Sequence, residues 1–175
     1  LSARINIGFA PPIKWAALSG STACSAMWGN TCKVTCIDNW SEFGGPKDAF
    51  FANTKYCLTD NIDFKFIESD FRKVDFSNIG KFDVYLFDGP HSEVDQFEGI
   101  TIAQPALADF FTLIVDDWNW QQVRAGTFRA IQHCGLKVIC FLEIKTTQDN
   151  ETPIIKNEKS EWHNGYFIAL CAKRL

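Results

Sequence analysis

Four apolar runs that each end in an acid, separated by stretches of helical period, predict an α/β fold: a doubly wound, mostly parallel sheet with an antiparallel C-terminal edge strand. Three observations carry this. Strands buried on both faces read as unbroken apolar runs, and "KVTCIDNW" (33–40), "FDVYLFDG" (82–89) and "FFTLIVDDW" (110–118) have that form. Parallel strands need a crossover, usually a helix, and the segments between the runs carry helical spacing. The last two runs, "LKVICFLEI" (136–144) and "GYFIALCAK" (165–173), have no helical pattern between them and are expected to pair antiparallel at one edge.

After the run that ends at Asp38, Pro46 opens a helix on which Phe50, Thr54 and Cys57 share a face. "FKFIESD" (64–70) is a short strand with polar residues at its end. The strand over 82–89 leads into a helix over 92–108, with Pro105 disturbing its last turn. Following the run 110–118, Asn119 is placed to cap a helix with Gln122 as its capping-box partner, Val123, Thr127, Ala130 and Ile131 form the inner stripe, and Gly135 stops it. A polar stretch, 146–164, separates the last two strands.

The 175 residues match the length of one domain, and with 46% hydrophobic and 14% aromatic residues the chain can bury a full core. A net charge of −4 offers no cationic footprint for a phosphate backbone or an anionic membrane surface, so neither nucleic acid nor membrane is expected as a partner. No apolar stretch approaches the ~20 residues of a membrane helix, and no signal-peptide pattern opens the chain. It begins on Leu1 rather than a methionine, which leaves room for residues upstream. The seven cysteines (24, 32, 36, 57, 134, 140 and 171) form no CxxC pair and mostly lie among apolar residues, which predicts reduced core thiols in a cytoplasmic protein.

In open α/β sheets ligands bind beyond the carboxyl ends of the strands. Asp38, Asp70, Asp88, Asp116 and Asp117 gather there, which favours a ligand rim, although Asp is also common in turns and caps. "YLFDGPH" (85–91) adds His91 three residues past Asp88.

The succession "CIDNW", "FIESDF", "FDVYLFDGPH", "LIVDDW" and a terminal strand pair resembles the class I S-adenosylmethionine-dependent methyltransferases, a Rossmann-like fold, over roughly residues 13–174. Within them it is most similar to the metal-dependent O-methyltransferases, the group of catechol O-methyltransferase and the macrocin-type sugar enzymes. The resemblance implies a metal site at Asp88, Asp116 and Asp117, with Asp88 and Asp116 28 residues apart. It implies donor contacts from Gly20, Ser21, Asp38, Ser69, Asp70 and Asp88, with Asp38 meeting the ribose and Ser69 and Asp70 the adenine. Aligned on the family's first motif, "IKWAALSGSTACSAMWGN" (13–30) keeps Gly20, Ser21 and Thr22 but has Lys14 where an acid is usual and Ala16 where the first glycine is usual. A frame that starts at "INIGFA" (5–10) places Gly8 thirty residues before Asp38, longer than the roughly 20 of nucleotide-binding units, and the first frame is preferred.

The chemistry supplies its own reason for these residues. A hydroxyl is a poor nucleophile until it loses its proton, and a hard divalent cation lowers the pKa of a bound hydroxyl. Aspartates suit Mg²⁺, Ca²⁺ or Mn²⁺ better than zinc. His91 is a candidate general base, kept neutral by the dipole of the following helix, or else a capping residue. His163 lies in the polar segment, which is expected to open on the same rim. His133, at a helix end, complements the dipole. The expected activity is S-adenosylmethionine-dependent O-methylation of a small-molecule substrate. The competing readings are a silent binding or scaffold domain, favoured by Lys14 and Ala16, and a nicotinamide-dependent oxidoreductase, weakened by the lack of a GxGxxG motif. A homo-oligomer is compatible with all three. Substrate specificity is expected from residues 146–164 and from Trp118 and Trp120.

Overall fold

A computed structural model of the chain describes residues 13–17, 27, 32–41, 46–153 and 162–173. Its strands are β1 (Ile13–Ala17), β2 (Cys32–Asp38), β3 (Ile62–Glu68), β4 (Phe82–Phe87), β5 (Leu107–Asp116), β6 (Lys137–Ile144) and β7 (Tyr166–Ala172). Its helices are α1 (Lys47–Cys57), α2 (Glu93–Ala103) and α3 (Gln121–His133), with short 3₁₀ turns at Phe71–Lys73 and Gln104–Ala106. The first described strand lies in the preferred frame, residues 5–10 of the other frame lie outside the described residues, and the 3₁₀ turn at the end of α2 holds Pro105.

The described strands form one sheet of order β3-β2-β1-β4-β5-β7-β6. Pairings β1 with β2, β2 with β3, β1 with β4 and β4 with β5 are parallel, whereas β7 runs antiparallel to both β5 and β6. The antiparallel pair sits at one edge as expected, with β7 slotted between β5 and β6, so the outermost strand is β6. Sequence order reverses between β1 and β4, which opens a crevice beyond their carboxyl ends.

The unbroken run in β4 follows from its two buried faces. Tyr85 and Phe87 enter one core with Leu113, Val115, Phe167 and Val123 of α3, while Leu86 enters a second with Met27, Val34, Cys36 and Phe50 of α1. Successive side chains of a strand point to opposite faces, so a strand covered on both must be apolar throughout. Helices α2 and α3 approach closely: a Cβ on Gly126 would lie 2.3 Å from the Glu93 carbonyl oxygen. Among the described cysteines, Cys36 and Cys171 are buried, whereas Cys140 is exposed on the edge strand and is not the core thiol expected. No described helix is long and apolar enough to cross a membrane.

Candidate functional site at the carboxyl ends of β4 and β5

Asp88 follows the last residue of β4, and the turn Gly89-Pro90 carries the chain to His91 and then to Ser92, whose hydroxyl accepts the Asp95 N–H at 3.1 Å and caps α2. Strand β5 ends at Asp116. Asp117 then adopts a left-handed conformation (φ 58°), uncommon for a residue with a Cβ and a mark of strained functional turns. Together these two strand ends bring Asp88, His91 and Asp117 into one cluster, with one ligand atom from each lying within 4.8 Å of the others.

Asp117 is buried and held at both oxygens. Oδ2 lies 2.8 Å from His91 Nε2, and Oδ1 accepts the Asn164 amide N–H at 2.6 Å. Burial pushes its carboxyl up, but the hydrogen bonds from His91 and Asn164 outweigh this and hold it below the usual carboxylate range. The same contact raises His91, because the Asp117 hydrogen bond and the charges of Asp117, Asp88 and Asp116 outweigh its partial burial. This corrects the expectation of a neutral His91: the carboxylates dominate the helix dipole, and the imidazole is biased toward its protonated form.

Asp116 stands just outside this cluster. Its Oδ1 accepts the Asp117 backbone N–H at 2.7 Å and its Oδ2 accepts the Tyr166 hydroxyl at 3.1 Å. Burial, then the nearby charge of Asp88, pushes it up to about 7. Burial and Asp116 likewise raise the Tyr166 hydroxyl. Asp88, Asp116 and Asp117 thus gather on one rim, and their oxygen-rich donor set fits a hard divalent ion.

Described residues of the connection between β6 and β7, namely Thr146, Thr147, Glu151 and Asn164, are fastened by Asn119. The expectation that Asn119 caps a helix is not met: Trp120 occupies the N-cap position, without a side-chain bond. Asn119 is instead fully buried. Its Nδ2 donates to Thr146 Oγ1 (2.8 Å), Thr147 Oγ1 (2.7 Å) and the Glu151 carbonyl (3.2 Å), and its Oδ1 accepts the Thr146 N–H (3.0 Å). Its backbone N–H reaches the Asn164 carbonyl at 2.8 Å. Gly165 makes this closure possible: at φ 87°, a Cβ there would fall 2.3 Å from the Ile144 carbonyl oxygen and 3.1 Å from Asn119 Oδ1. Sequence reasoning missed Asn119, Asn164 and Tyr166 as site residues. The signal present, Asn-Gly at 164–165 before a strand, announces a turn but not what the Asn side chain will touch.

The ends of β2 and β3 are built differently. Asp38 ends β2 half-buried, and its Oδ1 accepts the Trp40 N–H at 2.7 Å, while its carbonyl accepts the Ser69 N–H at 3.0 Å. Ser69 Oγ donates to the Asp70 carbonyl at 3.1 Å, and Asp70 caps the following 3₁₀ turn by accepting the Arg72 N–H at 2.9 Å. Trp40 stacks on Phe66 at 5.1 Å and packs against Phe50. Gly20 and Ser21 lie outside the described residues, as does Thr22. Trp118, expected to contribute to specificity, is instead fully buried and stacked on Phe167, with its indole N–H donated to Glu143 at 2.7 Å. His133 ends α3 edge-on against Phe97.

No protein-family model matches the chain, and no curated protein does so significantly. Solved structures do. A candidate methyltransferase from Thermoplasma acidophilum superposes with a TM-score of 0.59 at 15% identity, over 95% of this chain and 70% of that one. The O-methyltransferase TomG from Streptomyces achromogenes, in complex with SAM, gives 0.52 at 12% identity over 91% and 73%. The chain has the class I methyltransferase fold. A candidate RNA methyltransferase from Pyrococcus horikoshii shares it at a TM-score of 0.58 and 15% identity, over 93% of this chain and 76% of that one. Against three other neighbours the chain spans 44%, 45% and 46% of their length. Within the methyltransferase fold, the acidic cluster lies beyond the carboxyl ends of β4 and β5, and Asp38 beyond that of β2.

Proposed function

We propose that the chain transfers a methyl group from S-adenosylmethionine to a hydroxyl of a small-molecule substrate, assisted by a hard divalent cation such as Mg²⁺, Ca²⁺ or Mn²⁺. The observation that carries this reading is the convergence of Asp88, His91 and Asp117 on one point at the ends of β4 and β5, with Asp116 beside them. Asp88 and Asp117 would hold the cation. When bound, it would acidify an acceptor hydroxyl and orient it for in-line attack on the sulfonium methyl.

The protein's own groups do the rest. Asn164 and Tyr166 orient Asp117 and Asp116, and Asp38 would accept hydrogen bonds from a ribose diol. His91 starts as the charge partner of Asp117, and it becomes able to accept a proton at Nε2 only after giving up the one Asp117 stabilises. The net charge of −4 and the acidic rim favour a small acceptor over RNA. A second reading, a silent binding domain that keeps the acidic rim, is supported by Lys14 and Ala16 at the first strand. Calorimetric titration with S-adenosylmethionine, with and without Mg²⁺, separates the two: donor binding supports the transferase, and cation binding alone supports the silent domain.

A further inference from the structure

Among the described residues, the buried side-chain polar atoms without a hydrogen-bond partner include Trp120 Nε1 and, on the residue that donates to Asp117, Asn164 Oδ1. Asn164 is 8% exposed; its Nδ2 donates to Asp117 Oδ1 at 2.6 Å, and its Oδ1 is buried with no hydrogen-bond partner. Buried polar atoms in folded proteins are almost always satisfied, and an orphan beside a functional cluster calls for a reason. The atom is an oxygen, a hard neutral donor, on the same carboxamide that touches a candidate cation ligand. A carboxamide can present either end after a half-turn about its last torsion, so the end it offers depends on what it faces. Toward a bare carboxylate it offers N–H; toward a cation it would offer oxygen.

We propose that Asn164 is an oxygen ligand of the cation site formed with Asp88 and Asp117, so that the connection between β6 and β7 completes a site begun at the ends of β4 and β5. The inference rests on the cation-assisted reading above. Two carboxylates and one amide oxygen neutralise a divalent ion without surplus charge and leave positions open for acceptor oxygens. They also set the selectivity: a site completed by Asn164 takes Mg²⁺, Mn²⁺ or Ca²⁺, whereas one completed by the imidazole of His91 leans toward zinc. The positive φ values of Trp162 (66°) and His163 (33°), just before Asn164, are backbone conformations kept only where surrounding bonds over-determine them. Here the Thr146 hydroxyl donates to the His163 carbonyl at 2.5 Å and Asn119 holds the Asn164 carbonyl at 2.8 Å.

The test uses Mn²⁺ alone, titrated into the whole chain and followed by its electron paramagnetic resonance signal. Asn164→Ala should weaken Mn²⁺ binding about 10-fold or more, while Asn164→Asp, which supplies a harder oxygen, should bind within about threefold of wild type or tighter. If the amide served only as a hydrogen-bond donor to Asp117, Asn164→Asp would set a like charge against it and lose as much affinity as the alanine variant. That result, or wild-type affinity in Asn164→Ala, overturns the proposal. Should the alanine variant fail to fold, Mg²⁺ titration of the wild type decides instead: the Asn164 side-chain NH₂ resonances must shift at saturation, and unmoved resonances overturn the assignment. A wild-type chain that binds no Mn²⁺ defeats the cation reading itself, whereas one that binds Mn²⁺ while ignoring Asn164 defeats this inference alone.

Discussion

The two halves of the rim are tied down in opposite ways. At the ends of β2 and β3, Asp38 bonds the backbone two residues on, Asp70 does the same, and Ser69 bonds its immediate neighbour. At the ends of β4 and β5, Asn164 reaches Asp117 across 47 positions, Tyr166 reaches Asp116 across 50, and Asn119 reaches Thr146 across 27. The half proposed to hold the donor is thus fastened mainly by local turns, with the Ser69 N–H to Asp38 carbonyl bond joining its two strand ends, while the long-range side-chain bonds of the half proposed to hold the cation form only once β7 has been slotted between β5 and β6. A turn that serves itself can lose one residue without loosening its neighbours, whereas a network closed through one buried amide depends on every member.

The largest effect should come from the centre of the long-range half. Asn119→Ala leaves Thr146 and the Glu151 carbonyl without the buried amide and should cost about 3 kcal/mol in urea unfolding. A loss no greater than for an ordinary surface substitution would break the contrast.

Next is Asp116→Asn, whose effect must depend on pH. The Asp116 carboxyl is raised from 3.8 to about 7, so its charged form is disfavoured in the folded state. That cost is absent at pH below 3.8 and is felt in full above about 7. Removing the charge should therefore stabilise the protein at pH 8, on the order of 1–2 kcal/mol after allowance for solvent screening, and change little at pH 4. Equal effects at both pH values would mean that burial is not the dominant cause.

His91→Gln should act in the opposite direction. A raised histidine contributes stability that is present below its unfolded value of about 6.5 and is lost as pH climbs through the higher folded value. Because its side chain is 42% exposed, the variant should lose only about 0.5–1 kcal/mol at pH 5.5, and less at pH 9. Chemical denaturation at the two pH values checks the sign. The smallest change in stability is expected in the local half: Asp38→Ala should shift unfolding by no more than about 0.5 kcal/mol.

The same contrast explains what could be read from the chain. Order and type of the strands were legible because burial on both faces writes an unbroken apolar run, as in "VYLF", and the acids that end the runs could be placed on one rim from that alone. Asn119 looked like a helix cap because an Asx residue ahead of a helical stripe has that local meaning; its actual partners lie 27 to 32 positions away and leave no local trace. Asn164 stood out only as the end of the polar stretch 146–164. The protonation bias of His91 was misread for the same reason, since the helix that follows it is visible in sequence and the carboxylate opposite, 26 positions on, is not.

Whether one rim holds both a methyl donor and a cation is decided by calorimetric titration with S-adenosylhomocysteine in the presence and absence of Mg²⁺. The account predicts one-to-one binding of S-adenosylhomocysteine, weakened about 10-fold or more by Asp38→Ala, together with Mg²⁺ binding that Asp117→Ala abolishes. Binding of Mg²⁺ without any heat from S-adenosylhomocysteine would contradict it and leave a silent domain that has kept only the acidic half of the site.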